Sequence, residues 1–324
     1  MPEERVVCRI CPKQCRLAEG MTGNCRARRN VGGEIVPLAW ARPCAVAVDP
    51  MEKKPLFHFF PGQAILSLGM AGCNLHCRNC QNAGISQQGP LDIKGMRLSP
   101  DDLVGLMQAR NLHAVAYTYT EPLVAFEYVL ACARKVKEHG GFNVLVSAAY
   151  ACPEALAELL PFIDAANIDL KAMSDAFYRE NCKASLQPVL EALRLFRRFP
   201  VTLEITNLVI PTLNDGEEML RELAGFVRDE LGAETPLHFS RFFPCHELSH
   251  LEPTPLTTLH QARNIARAEG LCHVYLGNTP EPEVTHCSEC GASLIERRGY
   301  TITMNRLAKD GRCPVCHAAL YGRF

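Results

Sequence analysis

Three cysteines, Cys73, Cys77 and Cys80, lie within eight positions of one another in the stretch GMAGCNLHCRNCQN. A structural zinc site takes four ligands and a disulfide takes two, so neither accounts for three thiols. Three thiolates can hold three irons of a [4Fe–4S] cluster and leave the fourth iron open to a substrate or cofactor. The alternative is a zinc site completed by His76 or another side chain. The spacing therefore predicts a metal centre, with an iron–sulfur cluster as the first interpretation.

Two further cysteine groups flank this triplet at the two ends of the chain. The C-terminal group is a pair of CxxC motifs separated by 22 residues, and it consists of Cys287, Cys290, Cys313 and Cys316. Four thiolates complete a tetrahedral site, so we predict a structural zinc there, with iron as the alternative. The N-terminal group consists of Cys8, Cys11, Cys15 and Cys25. It predicts a second zinc site, a cluster that relays electrons, or no metal. The six remaining cysteines, which are scattered, are predicted to pack as small apolar side chains.

The overall composition describes a globular protein and excludes several partners. Apolar residues make up 48% of the chain and charged residues 21%, which is ordinary for a protein with a large core. The 34 basic and 35 acidic side chains leave no basic excess for nucleic-acid binding. No apolar run suits a membrane span, and MPEERVVC does not read as a secretory signal. We therefore expect a cytoplasmic protein whose thiols stay reduced.

The middle of the chain alternates short apolar runs with amphipathic stretches. We predict strands at 64–70, 114–119, 143–148, 165–170, 202–210, 237–242 and 273–277, with helices between them. Strands that alternate with helices pair in parallel, so the fold class is α/β, a full or partial (β/α) barrel. Chemistry in such folds gathers at the carboxyl ends of the strands, and the cysteine triplet directly follows the first predicted strand.

The pattern divides the chain into three predicted parts. Residues 1–60 form a cysteine-rich module with a strap, 61–279 form the barrel, and 280–324 form a module that resembles a zinc ribbon or rubredoxin knuckle. The strap, EKKPLFHFFPG, has two interpretations: it guards the barrel mouth or contacts a partner, or it packs on the barrel with its lysines in water.

The triplet, in its position after the first strand, resembles the radical S-adenosylmethionine (SAM) superfamily. This resemblance implies a [4Fe–4S] cluster on Cys73, Cys77 and Cys80 whose open iron is chelated by the methionine end of SAM. Reductive cleavage would then give a 5′-deoxyadenosyl radical that abstracts hydrogen from a substrate. Beyond the cluster, no catalytic residue is assigned.

Other motifs resemble those with which the superfamily binds SAM. YTYTEP stands where a GGEP-like turn meets the methionine ammonium, so the resemblance assigns Thr120 and Glu121 to that group. NIDLKAMSD resembles the DLK strand of glycyl-radical-enzyme activases. It implies that Lys171 meets the methionine carboxylate and that Asp169 serves the ribose region or a nearby cation. FFPCHEL implies a place for His246 near the adenosine.

The chain also departs from the superfamily pattern at several positions. The loop after the third strand reads SAAY, so Ser147 keeps a hydroxyl for a ribose or methionine group, but Ala148 replaces an amide. Thr206, with Asn207 beside it, replaces an arginine on the fifth strand, and Asn79 replaces an apolar residue near the adenine. These changes affect the contacts with SAM and leave the cluster ligands untouched.

The order of motifs along nearly the whole chain is most similar to that of the radical SAM enzyme of the AmmeMemoRadiSam system. It also resembles that of pyruvate formate-lyase activating enzymes. This resemblance implies companion proteins of that system or a glycyl radical enzyme as partners, and ferredoxin or flavodoxin as the electron donor. The substrate is accordingly a partner protein, or else a small molecule or partner-bound intermediate. A hypothesis from another class is a zinc-binding scaffold in which the triplet is structural.

Overall fold

The computed structural model describes residues 5–324, which form a central sheet with a small module at each end of the chain. The strands are β1 Val6–Val7, β2 Arg16–Leu17, β3 Arg28–Val31, β4 Glu34–Pro37, β5 Ala45–Pro50, β6 Ala64–Gly69, β7 Ala114–Thr118, β8 Phe142–Ser147, β9 Ala165–Asp169, β10 Thr202–Val209, β11 Leu237–Arg241, β12 Val274–Gly277, β13 Pro282–His286, β14 Ser293–Arg298 and β15 Thr301–Asn305. The helices are α1 Ala83–Ser86, α2 Pro100–Ala109, α3 Phe126–Glu138, α4 Pro153–Leu159, α5 Asp175–Phe177, α6 Gln187–Phe196, α7 Glu217–Phe226 and α8 Leu256–Ala268.

The central sheet has eight strands in the order β12-β11-β10-β9-β8-β7-β6-β5. Strands β6 to β12 are parallel, and β5 pairs with β6 in the antiparallel direction. The two edge strands of the described sheet, β5 and β12, do not pair with each other, so the barrel is partial. The predicted α/β class is confirmed. The division of the chain at residue 60 stays a prediction. Strand β5, which precedes residue 60, pairs with the central sheet.

The helices form where the sequence carries start and stop signals. At α2, the Ser99 hydroxyl accepts from the Asp102 backbone N–H at 3.2 Å, and the Asp102 carboxylate accepts from the Ser99 N–H at 3.1 Å. This reciprocal cap satisfies two N–H groups that the first turn of a helix leaves free. Two π-helical turns, 178–182 and 227–231, extend α5 and α7. None of the described helices combines the length and the apolar character needed to cross a membrane.

The strap EKKPLFHFFPG packs at the amino ends of the parallel strands, away from the edge that carries the cysteine triplet. Buried Leu56 and Phe59 cluster there with Ile65, Ala114 and Val144 from the first halves of three strands. Of the two interpretations, packing is therefore the observed one. Only Lys53 of the two lysines is half-exposed. Lys54 is buried and donates to Asp49 at 2.6 Å.

One buried carboxylate fixes this strap to the sheet. Glu204 in β10 is fully buried and accepts hydrogen bonds from the backbone N–H groups of Phe57 at 2.9 Å and His58 at 2.7 Å. Its other oxygen lies 2.6 Å from His238 Nε2 in β11. Because a buried carboxylate must be hydrogen-bonded, the polar side chain in mid-sheet specifies where the strap crosses.

The C-terminal module docks on the outer side of the strap. Strands β13, β14 and β15 form an antiparallel sheet, with a two-residue turn between β14 and β15. The Tyr321 hydroxyl contacts both backbone polar atoms of Leu203, at 2.9 and 3.1 Å, and the Arg323 N–H donates to His58 O at 2.8 Å. Leu203 is near the amino end of β10, so this module lies at the end of the sheet opposite the triplet.

Candidate functional site

The cysteine triplet lies on the loop that leaves β6 at the carboxyl edge of the sheet. Gly72 on this loop has φ +92°, and a Cβ there would stand 2.4 Å from the Cys25 carbonyl oxygen, so only glycine fits. The Leu75 backbone N–H lies 3.4 Å from the Cys73 sulfur, and the Cys80 sulfur lies 3.2 Å from the Ser86 hydroxyl. The loop is thus shaped by close packing and by bonds to its own thiols.

The electrostatics of the triplet favour a bound cation. Burial, and then the negative charges of Glu121 and Cys77, raise the pKa of Cys73 well above its usual value. A buried thiol of this kind stays protonated unless a positive charge holds the thiolate. The three sulfurs do not form a set within 4.8 Å of one another among residues 5–324. Thiolates that each bind a different iron lie farther apart than thiolates that share one ion, so this donor set suits a cluster.

A second segment supports the triplet loop, and the sequence patterns did not indicate it. This segment is the π-helical turn 178–182, whose carbonyl oxygens accept hydrogen bonds from the triplet loop. The His76 N–H donates to Cys182 O and the Arg78 N–H donates to Asn181 O, both at 2.9 Å. The Cys77 side chain lowers the pKa of Cys182, so the two thiols lie close together. The prediction treated Cys182 as a packing residue. Cys182 is buried in the main core, as predicted, but no local signal could have placed it beside Cys77, because the two cysteines are more than a hundred positions apart.

Glu121 follows β7 and is held as a buried carboxylate. It accepts from the Ser147 hydroxyl at 2.7 and 2.9 Å, from the Ala148 N–H at 3.0 Å and from the Leu123 N–H at 3.2 Å. Burial raises the pKa of Glu121, although these hydrogen bonds lower it. The neighbouring Thr120 hydroxyl donates to Met70 O at 2.7 Å, which ties the end of β7 to the end of β6.

Ser147, at the end of β8, is turned toward Glu121. Its oxygen also accepts from the Ala149 N–H at 2.8 Å, so both functions of the hydroxyl are used within the protein. The sequence predicted Ser147 as a direct contact of ribose or methionine. In the structure Ser147 positions the Glu121 carboxylate, and its contact with ribose or methionine stays a prediction.

Asp169 and Lys171 form an ion pair at the end of β9, with 2.7 Å between Lys171 Nζ and Asp169 Oδ2. Burial by itself would lower the pKa of Lys171. The charges of Asp169, Cys77 and Cys182 outweigh it and raise that pKa well above its ordinary value. The two predicted residues therefore lie together, next to the triplet, and the lysine carries a positive charge there.

Two asparagines fix the backbone that carries this lysine. Asn207 in β10 donates to Leu170 O at 2.8 Å and to Lys171 O at 3.0 Å, and Asn214 donates to Lys171 O at 2.7 Å. The predicted residue Asn207 thus has a positioning contact that its motif did not indicate. Its Oδ1 atom and the Thr206 hydroxyl are buried without a partner among the described residues. Buried polar atoms of this kind normally have a hydrogen-bond partner, so they are candidates for a ligand contact.

His246 lies on the segment after β11 that also packs on the triplet loop. The Cys245 sulfur lies 3.3 Å from Asn79 O, and the Leu248 N–H lies 3.2 Å from Arg78 O. The His246 imidazole is one-third exposed, with Glu247 at 3.9 Å, and its backbone has φ +50°. Its segment therefore meets the candidate site, while the ring stays partly in solvent.

The four C-terminal cysteines converge on a single point, and their sulfurs all lie within 4.8 Å of one another. Cys287 and Cys316 are 3.5 Å apart, and Cys290 and Cys313 are 3.6 Å apart. Zn–S bonds of about 2.3 Å in a tetrahedron place sulfurs ~3.8 Å apart, so one ion fits. Backbone N–H groups of Cys316 and Val315 lower the pKa of Cys313 to about 7, which favours the thiolate.

The four N-terminal cysteines line one cavity beside the triplet loop. Asn74, which directly follows Cys73, forms part of its wall, and so does the buried Arg28. The structure therefore brings the N-terminal set and the triplet to opposite sides of one short loop.

Comparisons with known proteins agree with this geometry. Residues 68–224, which contain the triplet, Glu121, Lys171 and Asn207, match the sequence profile of the Radical SAM superfamily. An uncharacterized protein of Methanocaldococcus jannaschii is 43% identical over 319 residues, which cover 98% of this chain and 95% of that protein. The isethionate sulfite-lyase activating enzyme of Nitratidesulfovibrio vulgaris is 26% identical over 182 residues, or 53% of this chain and 57% of that enzyme.

The fold has a counterpart among solved structures. Streptococcus suis SuiB, solved with its precursor peptide SuiA, aligns with a TM-score of 0.51 at 14% identity. The alignment covers 70% of this chain and 51% of SuiB, and at this identity it supports the fold alone. The profile match over the triplet, together with the parallel sheet, places residues 68–224 of this chain in the Radical SAM superfamily.

Proposed function

We propose that this protein is an enzyme that cleaves SAM reductively at a [4Fe–4S] cluster held by Cys73, Cys77 and Cys80. The observation that carries the proposal is the meeting of these three thiols with Glu121 and Lys171 at the carboxyl edge of the sheet. When bound there, the cluster and SAM supply a 5′-deoxyadenosyl radical that abstracts hydrogen from a substrate.

The two charged side chains suit the two charged groups of a methionine moiety. The carboxylate of Glu121 has about four lone-pair sites, and three protein groups occupy part of them, so one further donor such as an ammonium can bind. Lys171 has three N–H donors, and Asp169 accepts from one, so the lysine can bind a carboxylate. Thr120 keeps the turn in place, and Asp169 orients Lys171.

Three polar side chains position this pair and do not act on SAM through their occupied atoms. Ser147 holds the Glu121 carboxylate, and Asn207 and Asn214 hold the Lys171 backbone. Thr206 pairs with Asp169 in the register of β10 and β9, so its unpartnered hydroxyl is the atom of β10 that we assign to the nucleoside side of the cofactor. His246 lies on the segment after β11 that packs on the triplet loop, and we assign its partly exposed ring to the adenosine.

For the substrate, a partner protein is the candidate that a specific comparison favours. Over half of this chain is similar to an isethionate sulfite-lyase activating enzyme, so hydrogen abstraction from a glycyl radical enzyme is the first hypothesis. A small molecule, or an intermediate bound to a companion protein of the AmmeMemoRadiSam system, is the second. Reduced ferredoxin or flavodoxin would supply the electron. All seventeen cysteines are unpaired, which suits a reducing cytoplasm.

The C-terminal site has a different proposed role. One zinc ion, or one iron, bound by its four thiolates would fix the module that clamps the strap to the sheet. All four coordination positions are filled by the protein, and the module lies at the opposite end from the triplet. We therefore assign it to stability.

Metal counting with SAM binding tests the proposed function. After anaerobic reconstitution, wild type should bind about four more irons per chain than Cys73→Ala/Cys77→Ala/Cys80→Ala, and SAM should change the electron paramagnetic resonance (EPR) spectrum of reduced wild type only. Cys272→Ser, at an exposed cysteine outside the site, is the matched control and should behave as wild type. Zinc instead of iron at the triplet would contradict the proposal and favour a scaffold.

The substrate hypothesis has its own test. Incubation of the reduced, SAM-loaded protein with an isethionate sulfite-lyase should give the EPR signal of a glycyl radical if proteins of this class are substrates. Cleavage of SAM without any such signal would favour the small-molecule or companion-bound alternative.

A further inference from the structure

We propose that Cys8, Cys11, Cys15 and Cys25 bind a second [4Fe–4S] cluster and not a single zinc ion. All four cysteines line one cavity, together with Arg28 and Asn74. Four cysteine thiolates are the usual ligand set of a [4Fe–4S] cluster.

The spacing of the sulfurs bears on the two interpretations, because the C-terminal four-cysteine set offers a comparison within the same chain. The C-terminal sulfurs all lie within 4.8 Å of one another, as ligands of one ion must. Among residues 5–324, no three of the N-terminal sulfurs come within that distance of one another. They surround a space and do not converge on a point, as expected when each thiolate binds a different iron.

The wall of the cavity carries groups that suit a buried, negatively charged ligand. Arg28 is only 4% exposed, lines the cavity, and has an Nε–H without a partner among the described residues. Its two terminal nitrogens bind Glu127 at 2.5 and 2.7 Å, which fixes the orientation of the guanidinium. The Asn24 backbone N–H also lies 3.4 Å from the Cys15 sulfur. A buried cation and an N–H group of this kind stabilise a cluster whose four thiolates leave it negatively charged.

The cavity and the triplet share a wall. Asn74 lines the cavity and is bonded directly to Cys73, and the Cys25 carbonyl packs against Gly72. Consecutive Cα atoms are about 3.8 Å apart, so the second cluster would lie next to the first. The site nevertheless uses four ligands of its own, and it can be tested without the triplet.

The first experiment uses the full chain with Cys73→Ala/Cys77→Ala/Cys80→Ala, reconstituted anaerobically with iron and sulfide. We expect this variant to retain about four irons, about four sulfides and one zinc per chain, with the Mössbauer spectrum of a [4Fe–4S] cluster. Two zincs and less than one iron, or no N-terminal metal in a chain with native circular dichroism, would overturn the proposal. Because the triplet is absent, these outcomes do not depend on the proposed function.

A second pair of variants assigns the ligands. Adding Cys11→Ser/Cys25→Ser to the triplet variant should remove the remaining iron, whereas adding Cys272→Ser should leave it unchanged. Should the triplet variant fail to fold, the wild-type counts decide. About eight irons with one zinc support the second cluster, and about four irons with two zincs refute it.

Discussion

Replacing Glu121 by Gln is the sharpest test of how the protein holds SAM. The wild-type carboxylate has two equivalent oxygens, which accept from Ser147, Ala148 and Leu123 and still leave capacity for an ammonium. Glutamine has one oxygen and one NH₂ group, so it keeps the size of the side chain and loses the charge. A hydrogen bond that involves a charged group contributes about 1.5–3 kcal/mol. We therefore expect SAM to bind about 10- to 150-fold more weakly to the variant.

The measurement is the Kd of SAM for anaerobically reconstituted protein by equilibrium dialysis, with iron counted in every sample. Ser147→Ala is the matched control, because it removes one support of the carboxylate and keeps its charge. We expect a loss of about 1 kcal/mol there, or roughly five-fold. If Glu121→Gln carries full iron and binds SAM within about two-fold of wild type, Glu121 does not meet the ammonium.

Three further predictions concern stability and metal content. Asp49→Asn should lower the free energy of unfolding, measured by urea titration, by about 3–5 kcal/mol, because it leaves Lys54 buried without its charge partner. The control is Lys53→Met, which removes a 45% exposed lysine that pairs with the same carboxylate. It should lower the free energy of unfolding by less than about 1 kcal/mol. Burial raises the pKa of Glu283 to about 7, so its contribution to stability is full below pH 4.5 and is lost as the pH rises through 7. The stability of wild type relative to Glu283→Gln should accordingly fall by about 3 kcal/mol between pH 4.5 and 9. Cys290→Ser should lose the C-terminal zinc and leave the iron content unchanged, as measured by elemental analysis.

All three of these predictions have clear contrary outcomes. Equal losses for Asp49→Asn and Lys53→Met would mean that the buried pair with Lys54 is not what stabilises β5. A stability difference between wild type and Glu283→Gln that does not change with pH would show that Glu283 keeps an ordinary pKa. Loss of one iron without loss of zinc in Cys290→Ser would place the C-terminal thiols in an iron site.

Much of the sheet could be predicted from the sequence because each parallel strand is a short apolar run with clear ends. Every strand from β6 to β12 begins and ends within one residue of its predicted bounds. The buried strands β7 and β9 carry small and branched side chains, and turn residues or helix starts follow them. The parallel order then placed the triplet, Glu121 and Lys171 at one edge.

What the sequence could not predict depends on contacts between distant residues. We predicted no strand at β5, because this segment is extended through its antiparallel pairing with β6, which a local pattern does not show. Local patterns cannot show that Cys182 lies beside Cys77, or that the Ser147 hydroxyl donates a hydrogen bond to Glu121. The burial of Lys54 depends in the same way on Asp49, five residues earlier, being buried in β5. Each of these outcomes follows from tertiary packing, which overrides local preference.

The most direct measurement of the central claim is the yield of 5′-deoxyadenosine from reduced, reconstituted protein and SAM. Wild type should form this product, while Cys77→Ala should form none, although its N-terminal and C-terminal cysteines are intact. Equal yields from the two proteins would contradict the claim. So would the absence of product from wild type that carries a complete triplet cluster and bound SAM.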